Sequence, residues 1–148
     1  MRSKLAIFTK SMIDVFFYFG IAVLVSVPWV IRMAGKQIPV FERYYWQMVV
    51  VFIVSGILAL AIFYELRKMF NTVLKEDPFV MENVQSLKKM GFYSFLIAGV
   101  SVVRLLFAIT PAVLVIILVF TIAGLFSLVL SQVFKQAVIY KEENDLTI

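Results

Sequence analysis

The chain of 148 residues contains fourteen Lys/Arg, nine Asp/Glu and no cysteine or histidine. Disulfides, thiol nucleophiles, thiolate and imidazole metal sites and histidine acid–base catalysis are therefore closed to it. What remains is carboxylate, ammonium and guanidinium chemistry, and those groups are unevenly placed. Arg104 is the only charge in the 45 residues from Met90 to Phe134. An ionisable group inside such an apolar stretch needs a partner or water and marks a functional site by default. Asp14 and Glu65 stand at the edges of two other charge-free runs, where Asp14 is expected to link to Lys10 or Arg67 rather than relay protons. Walker-type phosphate loops, dinucleotide glycine patterns, HExxH and GxSxG are all missing from the sequence. The longest loops are too short for a separate catalytic domain, so the expectation is a protein that is not an enzyme, with no cofactor and no metal.

The elements that position these residues follow from composition. With 63% hydrophobic residues, 16% charged and a mean hydropathy of +1.00, the chain is far too apolar for a soluble fold. A spanning helix needs about 20 mostly apolar residues. Charge-free runs from Val15 to Ile31 and from Tyr44 to Tyr64 supply two. The Met90–Phe134 stretch would extend about 67 Å as one helix, about twice the hydrocarbon thickness. It must therefore turn back, and Thr110-Pro111 predicts a tight hairpin near Ile109 to Ala112. The reading is an all-α integral membrane protein, a four-helix bundle with spans at about 12–32, 44–66, 90–109 and 111–134.

Lys and Arg flank the spans asymmetrically. Arg2, Lys4, Lys10, Arg67, Lys68, Lys75, Lys88, Lys89, Lys135 and Lys141 lie on one side, against Arg32, Lys36, Arg43 and Arg104 on the other. The positive-inside rule predicts cytoplasmic N- and C-termini, with a short loop of about Arg32 to Arg43 and the Thr110-Pro111 hairpin outside. Trp29, Tyr44, Tyr45 and Trp46 then mark the outer interface, and Tyr64 and Tyr93 the inner. A cleavable signal peptide is not expected, because the first apolar run is long, Asp14 begins it, and Ser26-Val27-Pro28 is a poor cleavage site. Small residues in the spans, Gly20, Gly56, Gly99 and Gly124 among them, suit close helix packing, though none forms GxxxG.

Two cytoplasmic segments stand out. After the second span continues and frays near Lys75, Asp77 is the expected N-cap and Pro78 the first residue of an amphipathic helix over about 78–89. Phe79, Val80, Val84, Leu87 and Gly91 recur at helical spacing, with Glu82, Asn83, Gln85, Ser86, Lys88 and Lys89 opposite. Such a helix either lies at the headgroups or docks a cytosolic protein. The tail, 135–148, begins with a stripe of Phe134, Ala137, Val138 and Lys141 and closes with an acidic stretch of Glu142, Glu143, Asn144 and Asp145. That stretch is expected to oppose the basic Arg67-Lys68-Lys75-Lys88-Lys89 loop or to act as a recognition tail.

The string Asp77-Pro78-Phe79-Val80-Met81-Glu82-Asn83-Val84, with Leu87, Lys88 and Gly91 downstream, and the closing Glu142-Glu143-Asn144-Asp145-Leu146-Thr147-Ile148 resemble a bacterial family known as domain of unknown function 2975. In that family a "PF…EN" element precedes the third span and an acidic "E…DLT(I/V)" string ends the chain. The resemblance covers nearly the whole sequence. It implies a small inner-membrane protein without an established activity, often encoded beside a short helix-turn-helix regulator of the Cro/CI type. It implies no catalytic residue.

Two functional expectations follow. In the first, the protein tethers or sequesters a cytosolic helix-turn-helix regulator at the bacterial inner membrane, in response to an envelope signal or simply as an anchor. Its docking face comprises Phe79, Glu82, Asn83, Leu87, Lys88, Glu142, Glu143, Asp145 and Leu146. In the second, it is a membrane immunity or transport-accessory protein, with Arg104 paired to Glu42 in a polar site that binds an anionic headgroup or a peptide carboxylate. Arg104 has a simpler role open to it. Counting back from Ile109 places it about 7–8 Å below the helix end, within snorkelling reach of the interface. A third, purely structural expectation is a homo-oligomeric scaffold, and no nucleic-acid-binding module is expected, since topology accounts for the basic residues.

Overall fold

The computed structural model describes residues 3–146; Arg2 of the basic N-terminal segment and Thr147-Ile148 of the closing string lie outside the described residues. The described chain forms α1 (Lys4–Gly35), α2 (Pro39–Arg43), α3 (Tyr45–Leu74), α4 (Met81–Arg104) and α5 (Pro111–Leu146), with no strand. All but α2 are long and apolar enough to cross a membrane. Large apolar side chains such as Phe19, Val30, Leu118 and Phe126 stand exposed along them, as lipid-facing surfaces require.

Local chemistry sets the helix ends. The Ser3 hydroxyl accepts the Leu5 N–H at 3.1 Å and caps α1. Pro39 at the first position of α2 turns the chain directly after α1, making a short helix in the region expected as a loop. The end of α3 is a Schellman turn. Asp77 N–H donates to the Thr72 carbonyl and Glu76 N–H to that of Val73, both at 3.0 Å, with Glu76 at φ 59°. This turn takes Asp77 away from the N-cap role expected for it, and the next helix starts only at Met81, after Val80. The amphipathic segment and the third span are one continuous helix. At its far end α4 stops at Arg104, and Leu105 to Thr110 make the connection, earlier and longer than the expected hairpin at Ile109 to Ala112. Thr110 Oγ1 accepts the Val113 N–H at 3.3 Å, and Pro111 begins α5. Proline starts a helix here because a first-turn residue needs no N–H and its φ is already helical.

Helices pack in chain order, α1 on α3, α3 on α4 and α4 on α5, without direct backbone approach of α1 to α4 or α5. The expected bundle is thus a row folded around a groove rather than a closed ring. Of the four, α4 is the most enclosed, with 44% of its apolar window buried against 6% for α1 and 11% each for α3 and α5. Its buried Asn83, Leu87, Met90, Ser94, Ile97 and Ser101 alternate in steps of four and three, the seam of a left-handed helix pair. Opposite it, α5 buries Gly124, Ser127 and Ser131. A Cβ on Gly91 would lie 3.1 Å from the Gly124 carbonyl oxygen, and one on Gly124 would lie 2.9 Å from the Phe95 ring. Small residues let these backbones approach. The α1–α3 contact uses a reciprocal pair: Leu60 covers Gly20 and Leu24 covers Gly56, four residues apart on each antiparallel helix.

Candidate functional site

At the end of the molecule that carries α2, Val27, Ile31, Met48 and Val49 form a buried cluster, with Phe41, Phe52 and Phe107 packed against it. Arg104, the last residue of α4, reaches into this aromatic surround. Its guanidinium carbon lies 4.8 Å from the Phe52 ring centroid and 6.0 Å from that of Phe41, within cation–π range. Its Nε is buried and donates to no described atom. Phe52 lies about 10 Å along α3 from Tyr45 and Phe41 lies on α2, so the guanidinium sits between rings from two elements.

Below Arg104 runs a groove of about 340 Å³ lined by α1, α3, α4 and α5. Small residues, Ser55, Ala59 and Ser101, leave its space open, and Val23, Leu24, Phe63, Ile116 and Phe120 make its walls apolar. Among the described residues, Arg104 is its only charged lining residue. The volume lies within the range of small-ligand sites, ~300–1,000 Å³.

The partner expected for Arg104 is elsewhere. Glu42 makes no ion pair with it among the described residues; Glu42 packs its backbone against Gly35 and faces a separate recess with Arg32, Lys36 and Tyr45. Of the α2 side chains, Phe41 is the one that lies against Arg104.

The opposite, terminal end is bound by polar contacts. Asp14 accepts from Lys10 Nζ and Arg67 Nε, each at 2.7 Å, so both partners expected for it are engaged. Arg67 also lies over the Phe17 and Tyr18 rings. Glu65, 3% exposed, accepts the Ser86 hydroxyl at 2.7 Å and has Lys68 Nζ at 3.1 Å and Lys89 Nζ at 4.0 Å. The buried Asn83 amide donates to Thr72 Oγ1 and to the Pro78 carbonyl, at 2.7 and 2.6 Å. Asn83 and Ser86, expected on the outer polar side, thus face inward, and Leu87 is buried with them.

The docking residues named from sequence therefore divide. Glu82 and Lys88 are exposed, as are Glu142, Glu143, Asp145 and Leu146 on the helical extension of α5. Asn83 and Leu87 are core and carry no accessible surface for a partner. Phe79 is half-exposed and meets Phe134 edge to face at 5.4 Å. Lys141 pairs with Asp77, whose carboxylate holds the Lys141 pKa above the ordinary lysine value. The acidic stretch makes no ion pair with the basic loop among the described residues; Arg67 pairs with Asp14, and Lys68 and Lys89 with Glu65. The groove was not legible in sequence, since its small residues carry the same signal as helix packing.

Four helices long and apolar enough to cross a membrane define a multi-pass helical membrane protein. The family described as "Protein of unknown function (DUF2975)" matches residues 29–148, and the chain belongs to that family. No curated protein and no solved structure matches the chain.

Proposed function

We propose that this chain is a non-enzymatic protein of the bacterial cytoplasmic membrane, both termini cytoplasmic, that tethers or sequesters a cytosolic helix-turn-helix regulator. The observation that carries the reading is the extension of α5. Its 36 residues span about 54 Å, well beyond a hydrocarbon core of about 30 Å. The excess continues as helix through Glu142, Glu143, Asp145 and Leu146, all exposed. Phe79 on Phe134 and Lys141 on Asp77 fix the extension to the α3–α4 connection, which preorganises its acidic face. An acidic helical face complements the basic surfaces of DNA-binding proteins. A Kd near 1 µM, about 8 kcal/mol, suffices to hold most of a regulator present at lower concentration than its anchor.

The test is co-purification of the regulator with the detergent-solubilised protein, wild type against a chain lacking Glu142 to Ile148, with a reporter of the regulator's promoter in parallel. A second variant, E142K/E143K/D145K, keeps the helix and reverses its charge. Loss of the regulator and altered reporter output in both variants is expected. Unchanged co-purification and reporter output overturn the docking face.

A further inference from the structure

We infer that the groove below Arg104 holds one anionic phospholipid from the surrounding bilayer, its phosphate on the guanidinium and one acyl chain along the floor between α1, α3 and α4. Three observations converge. Arg104 Nε is buried without an acceptor, although a buried guanidinium donor left unmade carries a desolvation cost. The rings of Phe41 and Phe52 approach the guanidinium and leave it without a counter-charge, and the nearest carboxylate named for it, Glu42, belongs to another recess. The groove that Arg104 heads is otherwise apolar and open to the lipid-facing side of the row of helices.

Dimensions and charge select the ligand. The lining of α3 runs from Val51 to Phe63, about 18 Å of helix, which exceeds half of a hydrocarbon core of about 30 Å and so matches one leaflet. Leu60 and Leu24 lie over Gly20 and Gly56, and the small side chains of Ser55, Ala59 and Ser101 leave the remaining floor open for a flexible alkyl chain. A single cation at one end and hydrocarbon elsewhere is the complement of an acyl chain that ends in an anion. Guanidinium binds phosphate through paired N–H donors, and the site is depleted of competing water. A free inorganic anion would gain the charge contact and leave the groove empty. A neutral lipid would fill the groove and leave Nε unsatisfied.

This inference is independent of the regulator reading, and its test involves no cytosolic protein. The full chain, purified in detergent and stripped of lipid, is titrated with phosphatidylglycerol, with diacylglycerol of the same chains, or with inorganic phosphate, and retained adducts are weighed by native mass spectrometry. Wild type is expected to retain one phosphatidylglycerol at least tenfold more tightly than diacylglycerol and to show no phosphate adduct. Arg104→Leu should abolish that preference. Ser55→Leu, which fills the floor and leaves Arg104 in place, should weaken phosphatidylglycerol binding by a similar factor, with unchanged helical circular dichroism in both variants. Phosphatidylglycerol binding by Arg104→Leu equal to wild type overturns the proposal. So does phosphate retained as well as lipid, or a lipid-free dimer whose formation Ser55→Leu prevents, which would make a second copy the occupant.

Discussion

Replacing Ser86 by Ala tests whether a buried carboxylate joins α3 to α4. The Ser86 hydroxyl donates to Glu65 at 2.7 Å, and the two residues are each 3% exposed. A hydrogen bond to a charged group contributes about 1.5–3 kcal/mol in proteins, whereas interhelical hydrogen bonds in membrane proteins average about 0.6 and reach about 1.7. Burial of both partners and the charge on the acceptor place this pair at the upper end, so S86A should destabilise by about 1.5 kcal/mol. Glu65→Ala costs more, because it also strands Lys68, while S86A added to it should cost almost nothing further. The coupling from the double-mutant cycle is then about 1.5 kcal/mol, measured by reversible unfolding in mixed detergent and SDS micelles. Lys89→Ala is the control: at 4.0 Å with a side chain 54% exposed, it should cost under about 0.5 kcal/mol. A Glu65–Ser86 coupling below about 0.3 kcal/mol would refute the reasoning, since independent sites add within about that error.

Other substitutions probe the remaining contacts. Gly124→Ala pushes a Cβ to 2.9 Å from the Phe95 ring and should destabilise by about 1–3 kcal/mol. Gly99→Ala, with nothing within 4 Å of the new Cβ, should be neutral or stabilise by up to about 1 kcal/mol; the same micelle titration separates the two. Asp14→Asn removes the acceptor shared by Lys10 and Arg67, and its partial exposure limits the loss to about 1 kcal/mol, decreasing with added salt. A raised folded-state pKa means that the Lys141 contribution is complete below the ordinary lysine value, about 10.4. It is lost only as pH rises through the raised value. Hydrogen exchange of Tyr140 to Leu146 should therefore show equal protection by the Asp77 contact from neutral pH to about 10, after correction for intrinsic rates, and a loss above it.

Sequence alone determined the membrane-spanning helices, because the cost of leaving lipid or entering it is paid residue by residue and shows in any charge-free run of sufficient length. It also determined the Asp14 partners, since Lys10 lies one helical turn away and the second span brings Arg67 to the same end. Tertiary structure decided what depends on neighbours. Asn83 and Ser86 read as surface because they are polar, yet each has a specific partner on α3, and a satisfied polar group is free to be buried. Arg104 is a charge in an apolar stretch in either view. Only the tertiary structure places Phe41 and Phe52 against it, Glu42 in another recess and a groove beside it, because a side chain's surroundings are set by what packs around it.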